Sequence, residues 1–111
     1  PYTTLFRSDG YPTETALGKL RAWPYDDING ALDFVQSLWK WPDWCGHDIS
    51  QYEAVVLHAE PGDKFLRCAT GGWSGNEALI SALNQNRMLR SLAWRFSSRG
   101  GLHIYQYKEA A

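Results

Sequence analysis

The sequence predicts an α+β domain in which three helices pack on one face of a four-stranded antiparallel sheet, in the order α-α-β-β-α-β-β. Two observations predict this class. Apolar residues recur at helical spacing in three segments. Strand-like segments occur in two pairs, each joined by a short turn, which favours antiparallel pairing of sequential strands. A length of 111 residues fits one domain.

The first two helices follow from caps, apolar stripes and prolines. Thr13 can cap the first helix, and Pro24 ends it. Its apolar side is formed by Leu17, Leu20 and Trp23. Asp26 or Asp27 caps the second helix, and Pro42 stops it. Its apolar stripe repeats at i, i+3, i+4 and i+7 and contains Ile28, Ala31, Leu32, Val35, Leu38 and Trp39.

The first predicted hairpin joins strand-like residues 52–59 to a return strand over residues 65–70. Between them, Glu60-Pro-Gly-Asp63 is a turn signal, because Pro suits position i+1 and Gly position i+2 of a type II turn. The apolar run at Val55 and Val56 places the centre of the first strand there.

The third helix and the second hairpin complete the predicted order. Ser74 and Glu77 form an S-x-x-E capping box, which predicts a helix continuing through Leu83. Residues 88–96 alternate in polarity and are predicted as a strand, with helix as the alternative. A turn at residues 97–101 leads to a last strand over residues 102–108, with His103, Tyr105 and Tyr107 on one face and Leu102 and Ile104 on the other.

Residues 39–47 form a corner that is rich in aromatic side chains. We interpret Trp39, Trp41 and Trp44 as a clamp that holds this loop on the core. The alternative is that their rings stack nucleic-acid bases, although Asp43 and Asp48 nearby would repel phosphate.

Cys45 and Cys68 are the only cysteines. They are too few for a disulfide scaffold and are expected as reduced core residues, with a single bridge left open. A metal site joining them to His47 and His58 is disfavoured, because no paired Cys-x-x-Cys or His-x-x-x-His spacing is present. We therefore expect neither a metal nor another cofactor.

Charge is unevenly distributed along the chain. Residues 9–62 contain nine acidic and three basic residues, whereas residues 63–111 contain three acidic and seven basic ones. We favour mutual neutralisation of the two halves, but either half can also form a binding face. The candidates for an acidic face toward a partner are Asp26, Asp27, Asp33, Asp43 and Asp48. The candidates for a nucleic-acid face are Arg67, Arg87, Arg90, Arg95 and Arg99.

The segment GGWSGNE at residues 71–77 is the most distinctive in the chain, and we call it the signature loop. Its candidate site residues are Gly72, Trp73, Ser74, Gly75, Asn76 and Glu77. Backbone N–H groups between glycines at a helix N-terminus can bind an anion. A hydrolase with Ser74 as nucleophile is a further alternative, and it needs His47, His58 or His103 as its base. We favour a capping role for Ser74.

The signature loop with its helix, the SSRGG hairpin at residues 97–101 and the YPTE start of the first helix resemble small uncharacterised proteins of phages and prophages. The resemblance covers most of residues 9–107; the hairpin here has one arginine where the phage proteins typically have two. It implies a phage accessory protein and transfers no activity.

We therefore expect a non-enzymatic viral protein that binds a host or phage protein or ribonucleoprotein in the bacterial cytoplasm. An inhibitor of bacterial defence, of the anti-CRISPR type, is the specific hypothesis, because such proteins are small, single-domain and cofactor-free. Nucleic-acid binding and Ser74 hydrolysis are the alternatives. No apolar run approaches the length of a membrane span.

The first eight residues, PYTTLFRS, match the translation of a common short-read sequencing adapter at every position. We expect residues 1–8 to be an adapter-derived tail from a metagenomic assembly, dispensable to a single domain over residues 9–111.

Overall fold

The structure, a computed structural model, describes residues 5–108. Its helices are α1 Glu14–Arg21, α2 Ile28–Leu38, α3 Gln51–Val56, α4 Ser74–Gln85 and α5 Arg87–Ala93. Its strands are β1 Cys45–Gly46, β2 Asp63–Ala69, β3 Trp94–Ser97 and β4 Leu102–Lys108. They lie in the order β1-β2-β4-β3, and every neighbouring pair is antiparallel. The α+β class and the four-stranded sheet are confirmed, but the prediction of three helices in the order α-α-β-β-α-β-β is wrong, because residues 5–108 contain five helices and a helix separates β1 from β2.

The first two helices begin where the sequence predicts. The backbone N–H of Ala16 donates to Thr13 Oγ1 at 3.2 Å, which caps α1. The backbone N–H of Gly30 donates to Asp27 Oδ1 at 3.1 Å, which caps α2. The apolar stripe of α2 is buried from Ala31 to Trp39, so the helical periodicity correctly identifies the face that meets the core.

The core occupies both faces of the sheet. On one face, side chains such as Leu66 and Tyr105 pack against α1, α2, α4 and α5. On the other, Phe65 and Ile104 form a smaller cluster with Leu57, at the end of α3. The alternation predicted for β4 is confirmed, but the prediction of helices on one face only is wrong, because α3 covers the second face.

The predicted strand over residues 52–59 is wrong, because α3 begins at Gln51. Its N-terminus carries a complete capping box: the N–H of Glu53 donates to Ser50 Oγ at 3.0 Å, and the N–H of Ser50 donates to Glu53 Oε1 at 2.9 Å. Val55 and Val56, expected at a strand centre, are exposed. The local capping bonds therefore override the β-propensity of the two valines, and β2 pairs with β1 and β4 instead.

Both predicted turns are present, but the segment before the second turn differs from the prediction. Gly62 has a φ of 89°, as position i+2 of a type II turn requires. Residues 88–96 do not form one strand: α5 occupies most of the segment, and β3 begins only at Trp94. The N–H of Leu89 donates to Asn86 Oδ1 at 3.4 Å, which starts α5. The helix alternative is therefore correct for the first part.

The capping box predicted at Ser74 and Glu77 is absent. Trp73 occupies the N-cap of α4, Ser74 is the first helical residue, and no side chain caps this end. The N–H of Glu77 donates instead to the backbone oxygen of Trp73 at 3.1 Å.

Two alanine substitutions test whether Ser50, rather than Ser74, caps a helix. Ser50→Ala is expected to lower the free energy of unfolding by about 1 kcal/mol, because it removes a cap. Ser74→Ala is expected to change it by less than about 0.5 kcal/mol. Denaturant titration of both variants measures the difference, and a larger loss for Ser74→Ala would restore the capping role that the sequence suggests.

Part of the N-terminal tail lies against the domain. Leu5 and Phe6 pack against the main core, and the N–H of Arg7 donates to the backbone oxygen of Tyr11 at 2.7 Å. Residues 1–4 lie outside the described part of the chain. The dispensability of residues 1–8 stays a prediction.

Candidate binding site

Asn76 joins the aromatic corner to the signature loop. It is fully buried in the first turn of α4. The N–H of Lys40 donates to Asn76 Oδ1 at 3.0 Å, and Asn76 Nδ2 donates to the backbone oxygens of Lys40 at 3.1 Å and Thr70 at 3.3 Å. One side-chain amide therefore holds together the chain after α2, the end of β2 and the start of α4.

Four aromatic rings surround this junction, and we call them the aromatic platform: Tyr11, Trp41, Trp44 and Trp73. The ring centroids are 5.4 Å apart for Trp41 and Trp44, 6.5 Å for Trp41 and Trp73, and 5.7 Å for Tyr11 and Trp73. These are distances of direct aromatic contact. Trp41 and Trp44 are nevertheless 41% and 51% exposed, so the rings pack on one another at the surface.

Lys40 places a positive charge on the platform. Its Nζ lies 4.6 Å from the ring centroid of Trp73 and 5.2 Å from that of Trp41, within the range of cation–π attraction. Its backbone is the part that Asn76 holds. The platform thus presents flat apolar rings beside one cation whose backbone is held in place.

The backbone beneath the platform takes conformations that side chains disfavour. Trp41 has a φ of 64°, and Gly71, opposite it, also has a φ of 64°. A Cβ on Gly71 would lie 2.7 Å from Cζ3 of Trp41 and 2.7 Å from Cζ3 of Trp44. Glycine is therefore required for the rings to lie this close. A tryptophan in the left-handed region is strained, and such strain concentrates at functional sites.

The clamp interpretation of the aromatic corner holds for one of its three tryptophans. Trp39 is 4% exposed, and its Nε1–H donates to the backbone oxygen of Ala69 at 3.1 Å. Trp41 and Trp44 are instead partly exposed and pack against each other beside Gly71 rather than in the core. Trp41 also has a positive φ, and residue spacing alone does not encode such a conformation.

Two backbone donors of the signature loop are already bonded to Thr70. The N–H of Gly72 donates to Thr70 Oγ1 at 3.4 Å, and the N–H of Trp73 donates to the backbone oxygen of Thr70 at 3.2 Å. The indole of Trp73 also covers Gly75 so closely that a Cβ there would overlap it. Donors already bonded or covered are not available to an anion.

Arg67, a candidate for nucleic-acid contact, forms an ion pair on the second face of the sheet. Its Nε lies 3.0 Å from Glu53 Oε2. Burial raises the pKa of Glu53, but hydrogen bonds from Ser50 and Arg67 and the charge of Arg67 outweigh that effect and lower it overall. The arginine therefore stabilises the N-terminal part of α3.

Of the other four candidate arginines, two interact with groups of the domain and two are exposed. Arg95 Nη2 donates to the backbone oxygen of Leu57 at 2.7 Å, and the guanidinium of Arg90 stacks 4.5 Å above the ring of Trp94. The two remaining candidates, Arg87 and Arg99, are exposed on α5 and on the β3–β4 turn. Three of the five guanidinium groups thus have partners within the chain.

The five candidate aspartates are all exposed. Asp27 combines its capping role with acceptance of the Trp23 indole N–H at 3.0 Å, and Asn29 donates to Asp33 at 3.4 Å. Asp43 lies between Trp41 and Trp44 in a single 3-10 turn, Pro42–Trp44, so it is the aspartate next to the platform in sequence. The other two are Asp26 and Asp48.

Among residues 5–108, no imidazole hydrogen-bonds the Ser74 hydroxyl: His47 is bonded to β2 and α2, and His58 lies just after the C-cap of α3. His103 Nδ1 instead lies 2.8 Å from Ser97 Oγ. Ser97 and His103 are directly opposite in the β3–β4 register, so this contact is that of a cross-strand pair.

Glu77 and His103 interact electrostatically between α4 and β4. Burial lowers the pKa of His103, and the Glu77 carboxylate partly offsets that shift. Sequence reasoning assigned Glu77 to a capping box and did not anticipate its electrostatic effect on His103, because the two residues lie in different elements.

Within residues 5–108, no group of three or more His, Cys, Asp or Glu side chains is arranged to hold a metal ion. Nor is any helix in that part of the chain long and apolar enough to cross a membrane. Comparison of the chain with protein families, curated proteins and solved structures found no match. The aromatic platform is therefore the feature on which a functional proposal rests.

Proposed function

We propose that this chain is a non-enzymatic binding protein whose macromolecular partner docks on the aromatic platform. One observation carries the proposal: Trp41 and Trp44 are exposed, yet Asn76 and Gly71 fix the backbone segments around them. Tryptophan and tyrosine recur at the energetic centres of protein interfaces. A surface that is ordered before binding loses less conformational entropy when the partner arrives.

Two opposite charges lie beside the platform and can select the orientation of a bound partner. Lys40 lies on the rings, and Asp43 is carried by the turn between Trp41 and Trp44. Opposite charges beside an apolar centre select the orientation of a partner more than they add affinity. An apolar patch with a Lys–Asp pair beside it fits a protein surface of complementary charge.

The proposed partner is a host or phage protein or ribonucleoprotein, and the proposed role is that of a phage accessory protein. The resemblance of the signature loop and the SSRGG hairpin to phage proteins supports this role. The exposed aspartates on and beside α2 support contact with a basic site, such as the nucleic-acid channel of an RNA-guided nuclease. Inhibition of bacterial defence is the corresponding function.

Direct nucleic-acid binding is a second candidate. It is favoured by the exposed faces of Trp41 and Trp44 next to the Lys40 cation, because bases stack on such rings. It predicts an affinity that falls steeply with salt. Binding to single- and double-stranded probes that is absent, or insensitive to salt, would remove this candidate.

The proposal is tested by measuring the affinity of the chain for purified RNA-guided nuclease complexes of several types. In parallel, phage survival is measured in bacteria that carry these nucleases and express the chain. Trp41→Ala/Trp44→Ala is expected to weaken the complex by about 100-fold or more, because each tryptophan is placed as a hot spot. The matched control is Tyr52→Ala/Val55→Ala, since these side chains are 79% and 74% exposed on α3.

The control pair is expected to leave affinity unchanged, and circular dichroism should show both variants folded. Absence of binding and of phage protection across all complexes contradicts the role in defence. Equal losses in the platform and α3 variants contradict the platform as the site.

A further inference from the structure

Cys45 and Cys68 face each other at one edge of the sheet. They are register partners in β1 and β2, their Sγ atoms lie 3.4 Å apart, and they are free thiols, 1% and 0% exposed. Residues directly opposite in an antiparallel pair have Cα atoms roughly 4.5–5.5 Å apart, inside the range that disulfides span. Small rotations of the two side chains can therefore bring the sulfurs to bonding distance.

We propose that Cys45 and Cys68 form a cross-strand disulfide on reaction with a low-molecular-weight disulfide such as oxidised glutathione. One cysteine thiolate attacks a sulfur of the oxidant, and one glutathione leaves as its thiolate. The second cysteine, also as thiolate, then displaces the glutathione held in the mixed disulfide. The two thiols lose two protons and two electrons, and one oxidised glutathione becomes two reduced glutathione molecules.

Access of the oxidant follows from the position of β1. The strand has two residues and lies at the edge of the sheet, in the order β1-β2-β4-β3. Short edge strands open locally at low free energy, so Cys45 reaches solvent without global unfolding. Cys68 is less suited to the first attack, because the hydrogen bond with Cys45 and burial both raise its pKa while β1 is closed.

The bond has a consequence for the aromatic platform, and this step rests on the proposed function. Cys45 directly follows the 3-10 turn Pro42–Trp44 that carries one platform ring. A disulfide from Cys45 to Cys68 fastens that turn to β2 and prevents the edge strand from opening. Oxidation then removes the open states in which the edge strand displaces the Trp44 ring, and so strengthens the complex.

The experiment treats the folded full chain with oxidised glutathione, removes the oxidant, unfolds the chain in denaturant with a maleimide that labels any remaining thiols, and weighs the intact protein. The expected product is a monomer without label, two hydrogens lighter than the reduced chain, with a Tm raised by about 10 °C. Cys68→Ala is the matched control and should give only a mixed disulfide with glutathione at Cys45.

Two labelled thiols after native treatment, or closure only in denaturant, overturn the inference. Closure with a lowered Tm contradicts the geometric fit of the bond. If the bond forms and affinity is unchanged, the disulfide stands and its effect on the platform is overturned. If the bond does not form while Trp41→Ala/Trp44→Ala abolishes binding, the proposed function stands and the disulfide is overturned.

Discussion

Replacement of Asn76 by alanine is expected to lower the free energy of unfolding by about 3 kcal/mol. The side chain is fully buried and makes three hydrogen bonds to the backbone of Lys40 and Thr70. Alanine leaves those groups without their partner, and a buried unpaired polar group costs about 1–3 kcal/mol. Urea titration measures the loss, and the corresponding fall in Tm is about 15 °C.

Two further variants show whether the loss at position 76 is due to the hydrogen bonds of the amide. Asn76→Asp keeps the shape but replaces the Nδ2 donor with a buried oxygen, so it is expected to destabilise at least as much as alanine. Ser81→Ala, an exposed position in the middle of the same helix, is expected to change stability by less than about 0.5 kcal/mol. A loss below about 1 kcal/mol for Asn76→Ala would show that the junction does not depend on this amide.

Gly71→Ala is the second substitution with a large expected effect, about 3 kcal/mol. A φ of 64° is costly for alanine, by about 1–2 kcal/mol. The new Cβ would also lie 2.7 Å from a ring carbon of both Trp41 and Trp44, so the rings must shift and lose their packing. Denaturant titration measures the total loss of stability, and tryptophan emission detects the displacement of the rings.

Gly72→Ala separates the backbone contribution from the displacement of the rings. Gly72 has a φ of 75°, but a Cβ there would meet no atom within 4 Å. Its alanine variant is therefore expected to lose only the backbone contribution, about 1 kcal/mol, without a change in tryptophan emission. Similar losses and similar spectra for the two variants would mean that Gly71 does not support the platform rings.

The helices α1 and α2 were predicted correctly because their apolar periodicity and their caps agree. In α2, for example, the apolar stripe and the Asp27 cap indicate the same helix. The strand prediction at Val55 and Val56 was wrong because it rested on two β-branched residues, whereas the capping box of Ser50 and Glu53 favours a helix. A six-residue helix contains too little periodicity to settle that conflict.

The candidate site could be predicted only in pieces. The sequence marks the aromatic corner and the signature loop as unusual, but not that they meet, because Lys40 and Asn76 are 36 residues apart. The positive φ of Trp41 is a conformation that the sequence predicts chiefly for glycine. Charge counts likewise identified the arginines without showing that Arg67, Arg90 and Arg95 have partners within the chain.

The most direct test of the platform is the mobility and exposure of individual indoles, measured by NMR on protein labelled with 15N-tryptophan. The Trp41 and Trp44 indoles are expected to be broadened by a soluble paramagnetic probe and yet to have order parameters near those of rigid backbone, about 0.85. Trp39, buried and bonded to Ala69, should be protected from the probe. Order parameters below about 0.6 for Trp41 and Trp44, or their protection from the probe, would contradict an ordered, exposed platform.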